Sequence, residues 1–280
     1  MKLAIIASTN TYECQRISKE GSDFFDKIEL FLIPDLTVKI KNKKNNFLYK
    51  NQPFPLGFDI YLFRGTSKGE SLAVMLAEFL NNKGKIIVDE KLARPKGGSK
   101  FTTLLKLNTA GISVPVSFQA LAVSEILNQA KKIGYPIIAK HKKGKKGKGV
   151  YKLDNKKELA LFTEKNQDLE SIIFQQFIDS NFDIRVFVVG DKALGSMKRT
   201  APAGDFRSNI AVGGTGEKFD ASRDLCNMAI KSIQAVRNEI AGIDVMIKNN
   251  QAYVIEVNRA PEFQGFEKNT GVNVARKILE

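Results

Sequence analysis

Short apolar runs alternate with amphipathic stretches through the first third of the chain. Lys2–Ser8 (KLAIIAS), Ile28–Ile33, Asp59–Phe63 (DIYLF) and Lys85–Val88 read as strands. Between them, Tyr12–Glu20 and Glu70–Leu80 place apolar residues at helical spacing, the second stopped near Gly84. Val38–Tyr49 is basic and alternating, which predicts a hairpin excursion. Strand–helix alternation predicts a small, mostly parallel sheet with helices on both faces. Ligands of such sheets bind beyond the carboxyl ends of the strands, and Arg64 stands there, placed to face a substrate acceptor.

The rhythm changes after Ala93–Ser99 (ARPKGGS), the clearest boundary in the chain. Lys100–Ala110 reads as a helix, Ser113–Phe118 as extended, and Ser124–Ile133 as a helix with Ser124 as its N-cap. Strands Ile137–Lys140 and Val150–Leu153 flank a loop carrying Gly144, Gly147 and Gly149 among lysines. Backbone N–H groups of such a loop can close over phosphates, and Lys140 can neutralise them. A flexible basic turn or an electrostatic nucleic-acid contact is the competing reading. After a Lys156–Lys165 helix and a Ser171–Ile178 strand, Ile184–Val189 and Lys192–Lys198 form a hairpin about Gly190-Asp191. A two-residue turn there pairs Asp183 with Lys198 and Arg185 with Ser196. In Gly204–Gly214 (GDFRSNIAVGG), Arg207 and Asn209 share a side, a guanidinium beside an amide suited to a transferring phosphoryl group. Leu225, Ala229, Ser232, Val236 and Ile240 mark a long helix.

The last strand pair, in GIDVMIKNNQAYVIEVN, carries the sharpest chemistry. Residues two apart on a strand share a face, so Glu256 and Asn258 point one way, and Ile255 and Val257 the other. With Asn249–Asn250–Gln251 as a three-residue loop, Asp244 falls opposite Glu256. A two-residue loop sets Asp244 against Ile255 instead. Two carboxylates and an amide oxygen converging in this way suit Mg²⁺, while a merely solvated polar face is the plainer alternative.

Composition narrows the classes. At 280 residues, 43% of them hydrophobic and with no apolar run of membrane-spanning length, the chain reads as a soluble globular protein of two or three domains. The apolar run at its start is too short for a signal peptide. Cys14 and Cys226 fit no metal or redox spacing and read as reduced thiols of a cytoplasmic enzyme. His141 is the only histidine, which disfavours Ser-His-Asp, Cys-His and multi-histidine metal chemistry and leaves carboxylates, Lys and Arg. The net charge of +14 favours anionic partners, with compositional drift toward Lys as the alternative.

Taken together, the Lys140–Gly149 hairpin, QQFIDSNFDIRVFVVGDK, GDFRSNIAVGG and GIDVM…VIEVNRAPEFQGFEKNTGVNVA resemble the ATP-grasp superfamily, and within it the RimK-type α-L-glutamate ligases. The resemblance runs from about Arg94 onward and, more loosely, over the N-terminal part. It implies an N-terminal parallel α/β domain (1–93) followed by an ATP-grasp fold of two α+β subdomains, 94–172 and 173–280. It implies ATP held by Lys100, Lys140, Gly147 and Gly149 at the phosphates and by the backbone of Gln176–Phe177 at the adenine. Asp183 would lie toward the ribose, and Arg207, Ser208 and Asn209 at the phosphate end. Asp244, Glu256 and Asn258 would bind two Mg²⁺, with Mn²⁺ as a substitute ion and Glu256 bridging. Arg207 and Arg185 would be catalytic cations, and Arg64 and Arg199 substrate contacts. Two positions depart from the pattern: Gln176 stands where these ligases carry Glu, and Ser99 where they carry Asp.

The activity implied is carboxylate–amine ligation through an acylphosphate, with glutamate or a similar amino acid added to an acidic acceptor. The partners would be ATP and amino-acid or peptide substrates, with no membrane, nucleic acid disfavoured and a homo-oligomer left open. Ligation of another amine is one alternative. A basic RNA- or nucleotide-binding module that keeps the fold without turnover is the other, and the metal-type triad argues against it.

Overall fold

A computed structural model describes residues 1–41, 43–93, 99–141, 149–207 and 213–280, with the side chains of Lys41 and Lys44 left aside. Gly147, Ser208 and Asn209 lie outside the described residues. The first strand, β1 (Lys2–Ala7), is apolar and buried after its first residue, as a strand covered on both faces must be. Helix α1 (Tyr12–Gly21) starts where the Thr11 hydroxyl accepts the Cys14 N–H. Next come β2 (Lys27–Leu32), a ribbon of β3 (Leu36–Lys41), β4 (Lys44–Tyr49) and β5 (Gln52–Pro53), then β6 (Ile60–Arg64), α2 (Glu70–Asn82) and β7 (Ile86–Val88). The expected parallel sheet forms in the order β2-β1-β6-β7. The chain winds outward from β1 to β2 and returns on the other side at β6. The carboxyl ends of β1 and β6 therefore flank a topological switch point, the place where such sheets bind ligands.

The second unit holds α3 (Lys100–Thr109), β8 (Ser117–Phe118), α4 (Val123–Ile133), β9 (Ile137–His141), β10 (Val150–Leu153), α5 (Lys156–Lys165) and β11 (Ile172–Gln176). Its sheet, in the order β10-β9-β11-β8, buries Ile137, Ala139, Ile172 and Phe174 with Ile126 and Leu159 of α4 and α5. Because β11 pairs with β9, this unit extends past the expected break at residue 172 to Gln176. Helix α4 begins after Ala122 with no side-chain cap, so Ser124 lies inside the helix rather than capping it.

The third unit comprises β12 (Phe182–Val189), β13 (Lys192–Thr200), β14 (Thr215–Phe219), α6 (Arg223–Val236), β15 (Ile240–Lys248), β16 (Gln251–Asn258), α7 (Gln264–Thr270) and α8 (Val274–Leu279). Ile240, assigned by periodicity to the helix, opens β15 instead, and the edge strand β14 carries too few apolar residues to announce itself. The sheet order is β14-β13-β12-β15-β16. One face (Ile184, Val186, Ile243, Val245) packs on α6. From the other face, Phe187 joins Phe263, Phe266 and Val274 against Leu3, Ile5 and Ile17 of the first unit, so one apolar core runs across the join.

Both hairpins of this sheet differ from expectation by one residue, in opposite senses. Gly190-Asp191 makes the expected two-residue turn, but the register shifts between Phe187 and Val188. Leu194 is the extra residue, and Asp183 consequently faces Arg199 rather than Lys198, and Arg185 faces Met197 rather than Ser196. In the β15–β16 hairpin the turn is two residues, Asn249-Asn250, both left-handed (φ 49° and 59°) as a type I′ turn requires. The expected three-residue loop is thus absent. Asp244 nevertheless faces Glu256, because a bulge at Ile255 restores the register that the shorter turn alone would lose.

Candidate active site

The three units enclose a cleft of about 2270 Å³. On its floor, β12, β13 and β15 stack four charges of alternating sign. Arg185 donates from Nε and Nη2 to the two oxygens of Asp244 at 2.7 and 2.8 Å. Arg199 grips Asp183 in the same two-pronged way at 2.6 and 2.7 Å and reaches Asp244 Oδ2 at 3.1 Å. Asn258 Nδ2 adds a bond to Asp244 Oδ2 at 3.0 Å. Burial works against the charge on Asp244, but the guanidiniums of Arg185 and Arg199 outweigh it and hold the carboxyl well below the usual range. Burial likewise opposes the charge on Arg199, and Asp244 and Asp183 more than restore it. Gly242 makes room for this: a Cβ there would sit 3.3 Å from Arg185 Cδ and 3.2 Å from Pro261 Cβ.

Above this floor, Glu256 is about a third exposed and pairs with Lys100 Nζ at 3.0 Å. Lys100 is the first residue of α3, an unfavourable end for a cation, and Glu256 offsets that placement. Ser99 caps the same helix: its hydroxyl accepts the Thr102 N–H at 3.2 Å, while the Thr102 hydroxyl accepts the Ser99 N–H at 3.3 Å. Ser performs this capping as well as Asp does, so the departure at 99 leaves Lys100 in place. Lys140 donates to Gln175 Oε1 at 2.6 Å, and Gln175 in turn donates to the Ser117 hydroxyl at 2.9 Å. Burial, with Lys100 nearby, brings the Lys140 ammonium down to about 8 even though Glu256 and Asp244 pull it upward. Four cations (Lys100, Lys140, Arg185, Arg199) thus meet three carboxylates (Asp183, Asp244, Glu256), a surplus that suits a polyanion.

The side of the cleft under β9 and β11 is apolar, lined by Ile138, Val150, Ile173, Ile178, Met246 and Ile255. Val257 packs into the core as expected, but Ile255, expected beside it, is turned to the cleft by the bulge. The Gln176 N–H bonds the Val116 carbonyl at 2.8 Å, which takes that donor from any base edge. The Phe177 ring meets Phe206 edge-on at 6.3 Å and carries the Lys152 ammonium 5.0 Å from its centroid. Gly149, at φ 81°, closes the β9–β10 hairpin by accepting the His141 N–H at 2.9 Å.

Arg207 sits on a loop rather than a strand and is clasped by Asp205, which accepts Arg207 Nη2 at 2.6 Å and its backbone N–H at 2.9 Å. Hydrogen bonding from Arg207 draws Asp205 down to about 2. Asp205 was missed in the sequence, although Asp two residues before an Arg is a familiar side-chain-to-backbone turn. Arg64 is buried (3% exposed) on the opposite wall and donates from Nη2 to the Pro261 carbonyl at 2.9 Å. Arg199, expected to touch substrate, is equally buried and is taken up by two carboxylates.

Glu256 and Asn258 offer hard oxygens on one edge of the cleft, a donor set that fits Mg²⁺ completed by phosphate and water. Asp244 stands beside them; three of its four contacts fall on Oδ2 and one on Oδ1, so Oδ1 keeps an acceptor site that a metal shell could use. The amide of Asn258 stands with Asp244 and Glu256 in that donor set.

Residues 98–280 match the family model for the RimK-like ATP-grasp domain. A protein of Nitrosococcus oceani named probable alpha-L-glutamate ligase is 30% identical over 286 residues, covering 100% of this chain and 94% of that protein. The ATP-grasp ligase PsnB, solved with a minimal precursor, superposes with a TM-score of 0.75 at 17% identity over 99% of this chain and 97% of the other. A RimK domain ATP-grasp protein of Sphaerobacter thermophilus gives 0.73 at 19%, over 100% and 98%.

Proposed function

The chain belongs to the RimK-like ATP-grasp family of amide-forming ligases, and on that premise we propose that it joins glutamate, or a similar amino acid, to the carboxylate of an acidic acceptor at the expense of ATP. The γ-phosphoryl group passes to an acceptor carboxylate oxygen and ADP leaves. The amine nitrogen then attacks the acyl carbon, phosphate departs with its bridging oxygen, and the nitrogen gives up a proton.

One observation carries this reading above others: Lys100, Glu256, Asp244 and Asn258 meet at one edge of a cleft whose neighbouring wall is an apolar slot. The slot takes a flat base, and Lys140 and Lys100 face the phosphates. Phosphate oxygens near Lys140 reverse the effect of burial and keep its ammonium charged. Glu256, Asn258 and Asp244 would hold divalent ions, two in the pattern the resemblance implies, which when bound would supply charge neutralisation at the transferring phosphoryl group. Arg185 and Arg199 act one step back, orienting Asp244 from below. Arg207 approaches the phosphoryl group from its loop once Asp205 yields part of its grip.

Hydroxylamine supplied in place of the amine tests this directly. A hydroxamate should form in step with ADP only when ATP, Mg²⁺ and the acidic acceptor are all present. No hydroxamate from any acidic amino acid or peptide tried would sink the ligase reading.

A further inference from the structure

At the switch point of the first sheet the cleft continues into a recess lined by Thr9, Thr11, Gly65, Thr66 and Ser67. Its walls are the segments that follow β1 and β6. They are stitched together by Ser8, whose hydroxyl donates to the Lys68 carbonyl at 2.5 Å and accepts the Lys68 N–H at 3.2 Å. Arg64 closes the bottom. It is 3% exposed, its Nε has no hydrogen-bond partner among the described residues, and its single bond from Nη2 goes to a neutral carbonyl, that of Pro261. A buried guanidinium without a carboxylate is costly unless an anion completes it. Its neighbour Arg259 differs, being held by Asp89 at 3.3 Å and the Thr66 hydroxyl at 3.1 Å.

Glu13 supplies the opposite sign. It lies in the first turn of α1, is 7% exposed, lines the cleft, and accepts the Phe263 N–H through Oε1 at 3.1 Å. Its charge is among those acting on Arg64. With Glu13 near Arg64 the recess carries both signs, which disfavours a purely anionic chain end. A small zwitterion suits it. Position agrees: Pro261 follows Asn258 by three residues, a reach of at most about 10 Å.

We propose that this recess seats the free α-amino acid, the amine-bearing substrate, with Arg64 taking its α-carboxylate and Glu13 facing its amino group. The assignment rests on the ligase reading of the cleft and moves Arg64 from the acceptor side to the amine side.

The test is steady-state kinetics on the full chain with ATP, Mg²⁺, a glutamate-ended peptide as acceptor and L-glutamate as amine, alongside capture by hydroxylamine in place of the amino acid. In Arg64→Met and Glu13→Gln the KM for L-glutamate should rise at least tenfold, while the acceptor KM, read from hydroxamate, stays within twofold. Glutamate α-amide should be a poor amine for the native chain, and Arg64→Met should close that gap. Glu13→Gln retains the acceptor for the Phe263 N–H, so it carries the test if Arg64→Met melts early. A rise confined to the acceptor KM, or an unchanged L-glutamate KM in both variants, overturns the assignment. Absence of hydroxamate from the native chain would remove the ligase reading instead. Calorimetric titration of L-glutamate into the native and Glu13→Gln chains then judges the recess alone: tenfold weaker binding in the variant supports it, and equal or absent binding overturns it.

Discussion

Replacing Arg199 by Leu should destabilise the protein far more than its one-residue size suggests, and in a pH-dependent way. Arg199 and Asp183 are almost fully buried and bound to each other through two bonds at 2.6 and 2.7 Å. Asp244 keeps the two-pronged grip of Arg185 after the change, whereas Asp183 loses its guanidinium. Removing one partner of a buried pair costs about 3–5 kcal/mol, because the other charge stays out of water without that partner's compensation. That is a large fraction of the roughly 5–15 kcal/mol that holds a domain folded. Loss of the guanidinium that favours the charged form raises a buried carboxyl pKa, so the folded variant takes up a proton at a higher pH than the native chain does. The variant's deficit should therefore be greatest above the raised folded pKa and shrink as pH falls toward about 4, the unfolded value for Asp. Urea unfolding of native and Arg199→Leu chains at pH 8, 6.5 and 5 reads this out, and Asp183→Asn in the same background should recover about half of the loss or more. A deficit below about 1 kcal/mol at pH 8, or one that grows on acidification, would falsify the account of Arg199 as a buried bridge.

Three further outcomes follow from the site. Glu256→Gln should abolish ADP release at saturating Mg²⁺ while leaving the melting curve close to native, since this side chain and its partner Lys100 are each about a third exposed; near-native turnover would remove Glu256 from the metal shell. Arg207→Ala should slow hydroxamate formation by about a hundredfold or more, the roughly 3–4 kcal/mol expected of a donor aimed at developing charge in an enclosed site. A tenfold loss or less would leave Arg207 as a loop clasp for Asp205. An amine-directed reagent should modify Lys140 with a midpoint near pH 8, ahead of the other lysines, because burial depresses its ammonium pKa. Mg²⁺ and a non-hydrolysable ATP analogue should protect it, and modification only above about pH 10, where an ordinary lysine titrates, would contradict the burial.

Much of this architecture was legible in the order of residues. Unbroken apolar runs such as Leu3–Ala7 admit only a strand buried on both faces, and their alternation with amphipathic helices implies the parallel sheet. The two-residue alternation that puts Glu256 and Asn258 on one side is local, as is the capping of α3 by Ser99. The four segments that resemble the RimK-type ligases are local patterns too.

Register was not. Periodicity says which residues share a face but not which strand partner they meet, and two bulges decided that question in this sheet. Leu194 moved Asp183 from Lys198 to Arg199, and so built the buried ladder beneath Asp244. Ile255 rescued the Asp244–Glu256 pairing from a turn one residue shorter than expected and turned its own side chain into the cleft. Nothing near either residue announces a bulge, because an extra residue is accommodated by the twist of neighbouring strands and by packing on both faces. The approach of Arg64 and Glu13 to one recess lies further still from local pattern. It exists because α7 and the segment after β16 fold back over the first sheet, covering Arg64 with Pro261 and giving Glu13 the N–H of Phe263. Charges far apart in the chain acquire their partners, and their chemistry, only when burial brings them together and removes the water that would otherwise satisfy them.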